Sequence, residues 1–369
     1  MKKKYIIFSI VTLVLLVSFL SYFKYLKTTN VCKEDVKPTK ITKGISMNLE
    51  QTAGAGDYKT VTQSSWPTKG YKFNAELSRC ENGSTLSWDD TKKAVIMQGN
   101  VSDKCYVYFD KILTLAEYVI SQYTGTQGDN ALYYHNSTLT NGAGDNSYRY
   151  AGASDSVNNY ICLGSDATTC PEANLFRIIG VFGDQTKVIR AKSVGDKQWH
   201  TSPNNTWSSS SLNTYLNGEY LTSLGTIAEK IATTTWKVGG RSSTYLYDVP
   251  TTAYQYEVGS SASTTTYDAK IGLMYVSDYG FAADQSGWTT KLGSYGSNSS
   301  KNWLYLGSFE WTISCDSDRT YGAFSVNSAG HVDGSGVGSS IGVRPSFNLE
   351  SSVKYVSGSG SMSDPVRVN

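Results

Sequence analysis

Residues 303–349 read WLYLGSFEWTISCDSDRTYGAFSVNSAGHVDGSGVGSSIGVRPSFNL, and this stretch decides how the chain is expected to fold. Two strand-like runs, Gly322 to Val326 and Ile341 to Leu349, flank a segment of Asn, Ser, Gly and Asp. Gly and Asn tolerate the backbone angles that turns demand, so the pattern is one of strands joined by turns and a polar loop. Trp311 and Phe347 bring large apolar areas for a core. Arg344 sits inside an apolar run, and Pro345 after it removes a donor and biases Arg344 toward an extended backbone. An arginine in such a strand needs an acceptor. Arg344 is therefore expected to hold a carboxylate or carbonyls inside the fold, though the sequence does not say which.

The same residues carry a resemblance. Trp311, then AFSVNSAGHV, then IGVRPSFNL is similar to the C-terminal half of a widespread bacterial domain of unknown function. In that family a Trp-rich strand precedes V-N-S-x-G and G-V-R-P-x-x-x-L. The likeness extends to NLFRIIGVF (174–182), SSLNTYLNGEYLTSL (210–224) and KIGLMYVSDYGFA (270–282), and so covers about residues 130–369. It implies an α+β fold similar to the C-type lectin and formylglycine-generating-enzyme group. One departure limits it. The family often has Arg two residues after its Trp pair, whereas Thr312 and Ile313 follow Trp311 here.

Composition sets the outer bounds. A chain of 369 residues has room for two or three domains. Only 17% of the residues are charged, while 27 Tyr and 34 Gly accompany much Ser, Thr and Asn, which is the profile of a β- and loop-rich extracellular protein. Residues 1–40 hold eight Lys against Glu34 and Asp35, so against the chain's net +2 the remainder is weakly acidic. Such a remainder has no electrostatic footprint for nucleic acid.

Tyr5 to Phe23 is an uncharged, mostly apolar run preceded by Lys2, Lys3 and Lys4. It is long enough to cross a bilayer at ~1.5 Å per residue. A cleaved secretory signal is the competing reading, but Tyr22, Phe23 and Lys24 close the run where small residues would mark a cleavage site. The expected organisation is thus a cytoplasmic tip and transmembrane signal anchor (1–27), a stalk (28–59) and a small β module (60–110). A connector helix (111–129) and the lectin-like domain (130–369) follow. In the small module Cys80 and Cys105 lie at the end of one candidate strand and the start of another. A bond between them is expected, because so few residues bury little core. Cys162 and Cys170 are placed for a second, local disulfide, leaving Cys32 and Cys315 free.

Ile112, Leu115, Ala116, Val119, Ile120 and Tyr123 recur at helical spacing and give one apolar face. Ser208 to Leu224 repeats the pattern. Two long stretches, 233–267 and 284–302, are rich in Ser, Thr, Gly and Tyr. Loops of that length are functional or disordered, and their composition suits adaptable recognition.

Catalytic and metal motifs are missing. The resemblance to formylglycine-generating enzymes would imply two reactive cysteines in the C-terminal region, where Cys315 stands alone. The sequence contains no G-x-S-x-G elbow, H-E-x-x-H helix or P-loop. Asp316-Ser317-Asp318 lacks the Gly and distal Glu of a helix-loop-helix calcium site. No cofactor, metal or catalytic role is therefore expected. The sequence-level expectation is a membrane-anchored bacterial surface protein, adhesin- or receptor-like, binding an extracellular protein or glycan. A structural envelope subunit and an enzyme on the related fold remain alternatives. Its binding loops would present Trp288, Tyr295, Trp303, Asp316, Asp318, Arg319, His331 and Asp333, since Trp, Tyr and Arg dominate binding hot spots. Trp288, with polar neighbours on both sides, is expected to be exposed. Trp303, in WLYLG, fits a core strand equally well. Trp311, Arg344, Pro345 and Phe347 are assigned to structure.

Overall fold

Met47 and Leu49 alternate with Ser46 and Asn48, the period of a strand. In the computed structural model, which describes residues 44–68 and 70–369, they lie on strand β1 (Ile45–Glu50). The chain divides into two units, Met1–Ile112 and Leu113–Asn369. In the first, β2 (Tyr58–Val61), β3 (Tyr71–Cys80) and β6 (Cys105–Lys111) join β1 in a sheet of order β2-β1-β6-β3. A separate hairpin pairs β4 (Thr85–Asp89) with β5 (Ala94–Gln98). Met47, Leu49, Trp66, Val107 and Phe109 form the core, and Trp88 meets Phe109 edge-on at 5.7 Å. Cys80 stands opposite Cys105 in the β3–β6 ladder, and the two are disulfide-bonded.

This changes the expected boundaries. The stapled all-β module starts at Ile45, not residue 60, so the stretch read as stalk contributes two strands. The alternation in ISMNLE was a legible signal. Among the described residues no helix is long and apolar enough to cross a membrane. The run Tyr5 to Phe23 and Cys32 lie outside the described residues.

The second unit opens with α1 (Leu115–Ser121), capped by Thr114 and Glu117, which accept each other's backbone N–H. Leu115, Ala116 and Val119 enter the core that also holds Phe176, Ile178 and Phe347. Two sheets follow. The larger contains β7 (Leu132–Tyr134), β8 (Tyr148–Tyr150), β9 (Tyr160–Cys162), β10 (Leu175–Phe182) and β11 (Gln185–Arg190). It is completed by β15 (Ile271–Gly272), β20 (Ser346–Leu349), β21 (Tyr355–Ser357) and β22 (Val366–Val368), with main order β15-β20-β11-β10-β9-β22-β21. The second sheet has order β12-β19-β16-β17-β18, from β12 (Asp196–Gln198), β16 (Glu310–Cys315), β17 (Gly322–Val326), β18 (Val332–Gly336) and β19 (Ser340–Gly342). Its buried residues Trp311 and Ile313, and Trp199 just after β12, belong to the same core as Phe176 and Phe347. A hairpin of β13 (Thr234–Lys237) and β14 (Thr266–Ala269) stands apart. The helices that bear on the site are α2 (Ser211–Tyr215), α3 (Pro250–Glu257) and α4 (Val276–Phe281). The expected Cys162–Cys170 disulfide is present.

The run Ile341 to Leu349 is not one strand. It is β19 in one sheet and β20 in the other, with Val343, Arg344 and Pro345 between them. Proline cannot donate to a ladder, so the change of sheet falls there. Arg344 fastens the crossing. Its Nε donates to Glu310 Oε1 at 2.5 Å and Nη2 to the Leu304 carbonyl at 2.5 Å, with the side chain fully buried. Trp311 is buried and donates to the Lys197 carbonyl, the Pro345 carbonyl accepts from Arg190 N, and Phe347 meets Phe176 at 5.4 Å.

The expected architecture, a transmembrane helix, an all-β module and a C-type-lectin-like α+β domain, therefore needs correction. The described residues form a mixed, sheet-rich fold with short helices. The pattern of residues 208–224 is helical but broken, with Leu216–Tyr220 wound as a π-helix between two short α segments. Segments rich in Ser, Thr and Gly propagate helix poorly once nucleated, so turns and strands win.

Candidate functional site

Of the predicted loop anchors, the aromatic ones are inside the protein. Trp288 is fully buried among Tyr133, His135 and Phe281, with ring centroids 5.0–5.4 Å away, and its indole donates to the Ala283 carbonyl at 2.9 Å. The expectation of an exposed contact is corrected: polar neighbours in sequence left room for an inward-facing side chain. Tyr295 is buried and donates to the Gly280 carbonyl at 2.7 Å, and Trp303 is buried and donates to the Tyr150 carbonyl at 2.8 Å. Asp316 is buried too. Asp318 is exposed and accepts from Ser242 Oγ and Ser243 N, closing a turn. Arg319 and Asp333 are exposed, and half-buried His331 accepts from Gly296 N. These residues do not converge on one surface built for a ligand. Cys315 is a buried free thiol whose pKa burial pushes up to about 11. The sulfurs of Cys80 and Cys105 lie near the Asp103 carboxylate, but they are joined to each other, whereas a metal needs thiolates.

The chemistry gathers elsewhere, around a cavity of 270 Å³ in the second unit. Its position follows from the larger sheet. On β10, Gly180 lies opposite Arg149 of β8 and opposite Lys187 of β11. Glycine is required there, because a Cβ on Gly180 would fall 2.2 Å from the Tyr148 carbonyl oxygen. That close approach brings Arg149 and Lys187 to the same place. Asn348 of β20 stands opposite Lys187 on its other side. The N-terminus of α4 completes the floor with Asp278. The β13 strand supplies Thr234, Trp236 and Lys237, and α3 with the residue after it supplies Tyr254 and Val258.

Three ionic contacts tie the floor together. Lys187 Nζ lies 2.5 Å from Asp278 Oδ2, Arg149 Nη1 lies 3.5 Å from Asp278 Oδ1, and Arg149 Nη2 lies 2.6 Å from Asp145 Oδ2. Aromatic rings surround both cations. Arg149 sits 4.6 Å from the Phe182 centroid and 5.4 Å from that of Tyr254; Lys187 sits 4.6 Å from Tyr275 and 5.4 Å from Trp236. A cation on a ring face gains electrostatic attraction, more so when desolvated.

Carboxylates also hold the start of α4, where the helix dipole favours negative charge. Asp278 Oδ2 accepts from Tyr275 N, while Glu257 accepts from Val276 N and Ser277 N, each at 2.9 Å. Burial nevertheless raises the Glu257 pKa to about 7, against the pull of those donors. Burial lowers the pKa of Lys187, opposed by Asp278. For Asp145, burial works to raise the pKa, but Arg149 and Ser147 outweigh it and hold the carboxyl at about 2. A concave site with buried, perturbed ionisable groups and aromatic walls is where ligand chemistry concentrates.

Sequence reasoning missed this cluster, although the signal that flagged Arg344 was present. Lys187 stands beside Val188 and Ile189, Arg149 sits between two tyrosines, and Asp278 lies in the apolar VSDYGF. A charge inside an apolar run needs a buried partner wherever it occurs. The loop reading was half useful: parts of 233–267 wall the cavity, whereas 284–302 turns its large side chains Trp288, Leu292 and Tyr295 into the core.

Comparison with known protein families matches residues 183–351 to DUF6273, a domain of unknown function. Lys187, the β13 wall, Asp278 and Asn348 fall within it; Asp145, Arg149 and Phe182 precede it. No curated protein and no solved structure matches the chain, so the expected relation to C-type lectins and formylglycine-generating enzymes finds no support there.

Proposed function

We propose that this chain is a binding protein of an oxidising, extracytoplasmic compartment, and that its second unit takes a small molecule in the cavity floored by Arg149, Lys187 and Asp278. The observation that carries the reading is the combination of an open cavity with ionic groups that packing does not require. A closed apolar core would be as stable without the charges, since replacing buried ion pairs by hydrophobic residues is often neutral or stabilising. Two disulfides favour an oxidising compartment. Binding rather than turnover is favoured by the state of the cluster: Glu257 and Asp278 spend their oxygens on the α4 N-terminus and on the cations.

The test is a small-molecule library screened against the purified protein by ligand-detected NMR, repeated on Val258→Trp. Val258 is half-buried on the cavity wall, so an indole there fills the space. Ligands should bind the parent and lose binding in Val258→Trp, with little change in Tm. Ligands that bind both proteins equally would place the site elsewhere and sink the reading.

A further inference from the structure

The cations at the floor of the cavity have unspent donors, and Asn348 Oδ1 beside them is a buried acceptor without a partner. An ammonium has three N–H donors. Lys187, 5% exposed, donates to Asp278 Oδ2, and among the described residues it makes no second hydrogen bond. Arg149 is similarly placed. Nε donates to Ser147 Oγ and Nη2 to Asp145 Oδ2, while Nη1 has only the 3.5 Å ionic contact with Asp278. Charge points the same way. The lining carries three cations, Arg149, Lys187 and Lys237, against two carboxylates, Asp145 and Asp278, with Glu257 behind Ser277 as a third carboxyl that burial shifts toward its protonated form. A desolvated cation is stabilised only when its remaining donors are satisfied. Elsewhere Phe182, Trp236, Tyr254 and Val258 give the lining an apolar and aromatic side, and Thr234, Thr235, Ser277 and Asn348 a polar one.

Resting on the binding reading above, we propose that the natural ligand is a small organic monocarboxylate. Its carboxylate accepts from the unspent N–H groups of Lys187 and Arg149, and its apolar body packs against Phe182, Tyr254 and Val258. While Glu257 is protonated, one negative charge balances the surplus of one positive on the lining. A phosphate dianion would overshoot that balance and carry more hydration into an aromatic-walled site, and a ligand cation would meet three like charges. The 270 Å³ volume limits the body to roughly one ring or a short chain, near the lower end of ligand pockets.

The experiment uses three probes of one shape, 3-phenylpropanoate, 3-phenylpropanamide and 3-phenylpropylamine, titrated into the purified protein by calorimetry and NMR. The carboxylate should bind at least ten-fold more tightly than the amide, about 1.4 kcal/mol, with the amine weakest. Lys187→Met should abolish the preference for carboxylate over amide. Lys237→Gln, at the half-buried wall and safe for folding, should reduce it two- to three-fold. An amide or amine that binds as tightly as the carboxylate, with binding lost in Val258→Trp, overturns the ligand class and leaves the cavity reading standing. If no probe binds and the library gives no ligand sensitive to Val258→Trp, both readings fall.

Discussion

Two clusters of buried charge in the second unit can be set side by side. Arg344 and Glu310 form one; Arg149, Lys187, Asp145 and Asp278 form the other. Arg344 lies where the chain passes from one sheet to the next, and its acceptors come from the strand and loop it must hold, Glu310 and Leu304. It does not line the cavity floored by Arg149 and Lys187. The second cluster faces a cavity with aromatic walls. Burial alone therefore does not separate structural charge from functional charge. What separates them is the surroundings: Arg344 is sealed in the core, where its Nη1 finds no partner, while the second cluster borders an open cavity.

The largest effect should come from breaking the closed cluster. Arg344→Ala leaves Glu310 buried without its partner, and burial already raises the pKa of that carboxyl. We expect a loss of about 3–5 kcal/mol in denaturant unfolding. A variant that unfolds at the parent's midpoint would show that the crossing does not depend on Arg344.

Next in size is a pH effect at the edge of the open cluster. Glu257 has an ordinary pKa of 4.5 and a folded value of about 7. A raised folded pKa means that the native state binds the proton more tightly, so this stabilisation is complete below pH 4.5 and lost as pH rises through 7. It amounts to about 3 kcal/mol at 1.36 kcal/mol per pKa unit. Unfolding free energy should thus fall between pH 4.5 and 7.5, and Glu257→Gln should flatten most of that slope. Glu310, shifted in the same direction, leaves a residue of it. Asp145 acts in another window, giving stability above its ordinary 3.8 that is lost as pH falls toward 2.

Lys187→Met sharpens the comparison directly. Asp278 keeps Arg149 as a partner and methionine fits aromatic surroundings, so the cost should stay below about 2 kcal/mol. A loss equal to that of Arg344→Ala would make the open cluster a structural element like the closed one. Smallest of all, Arg319→Ala on the exposed turn should change stability by less than about 0.5 kcal/mol, measured by thermal unfolding. A larger loss would reveal a role for the Asp316–Arg319 turn that its 4.0 Å ionic contact does not supply.

Local chemistry was legible in the sequence. The alternation and turn residues of 303–349 identified strands, the spacing of Leu115, Ala116 and Val119 identified α1, and the isolated cysteines identified both disulfides. Arg344 was recognisable as an anchor because an arginine within apolar residues must find an acceptor, wherever that acceptor is. Which acceptor it finds depends on two sheets meeting, and Glu310 is 34 residues away. The orientation of Trp288, Tyr295 and Trp303 was equally out of reach, since neighbours in a turn do not fix which way a side chain faces. The cavity was furthest from view. Lys187 and Asp278, 91 residues apart, meet only because Gly180 lets β8 and β10 approach and because α4 starts beside β11. Hydrophobic period and turn chemistry act over a few residues and can be read along the chain. Charge pairing and cavity shape act through space, so only the packed tertiary structure decided them.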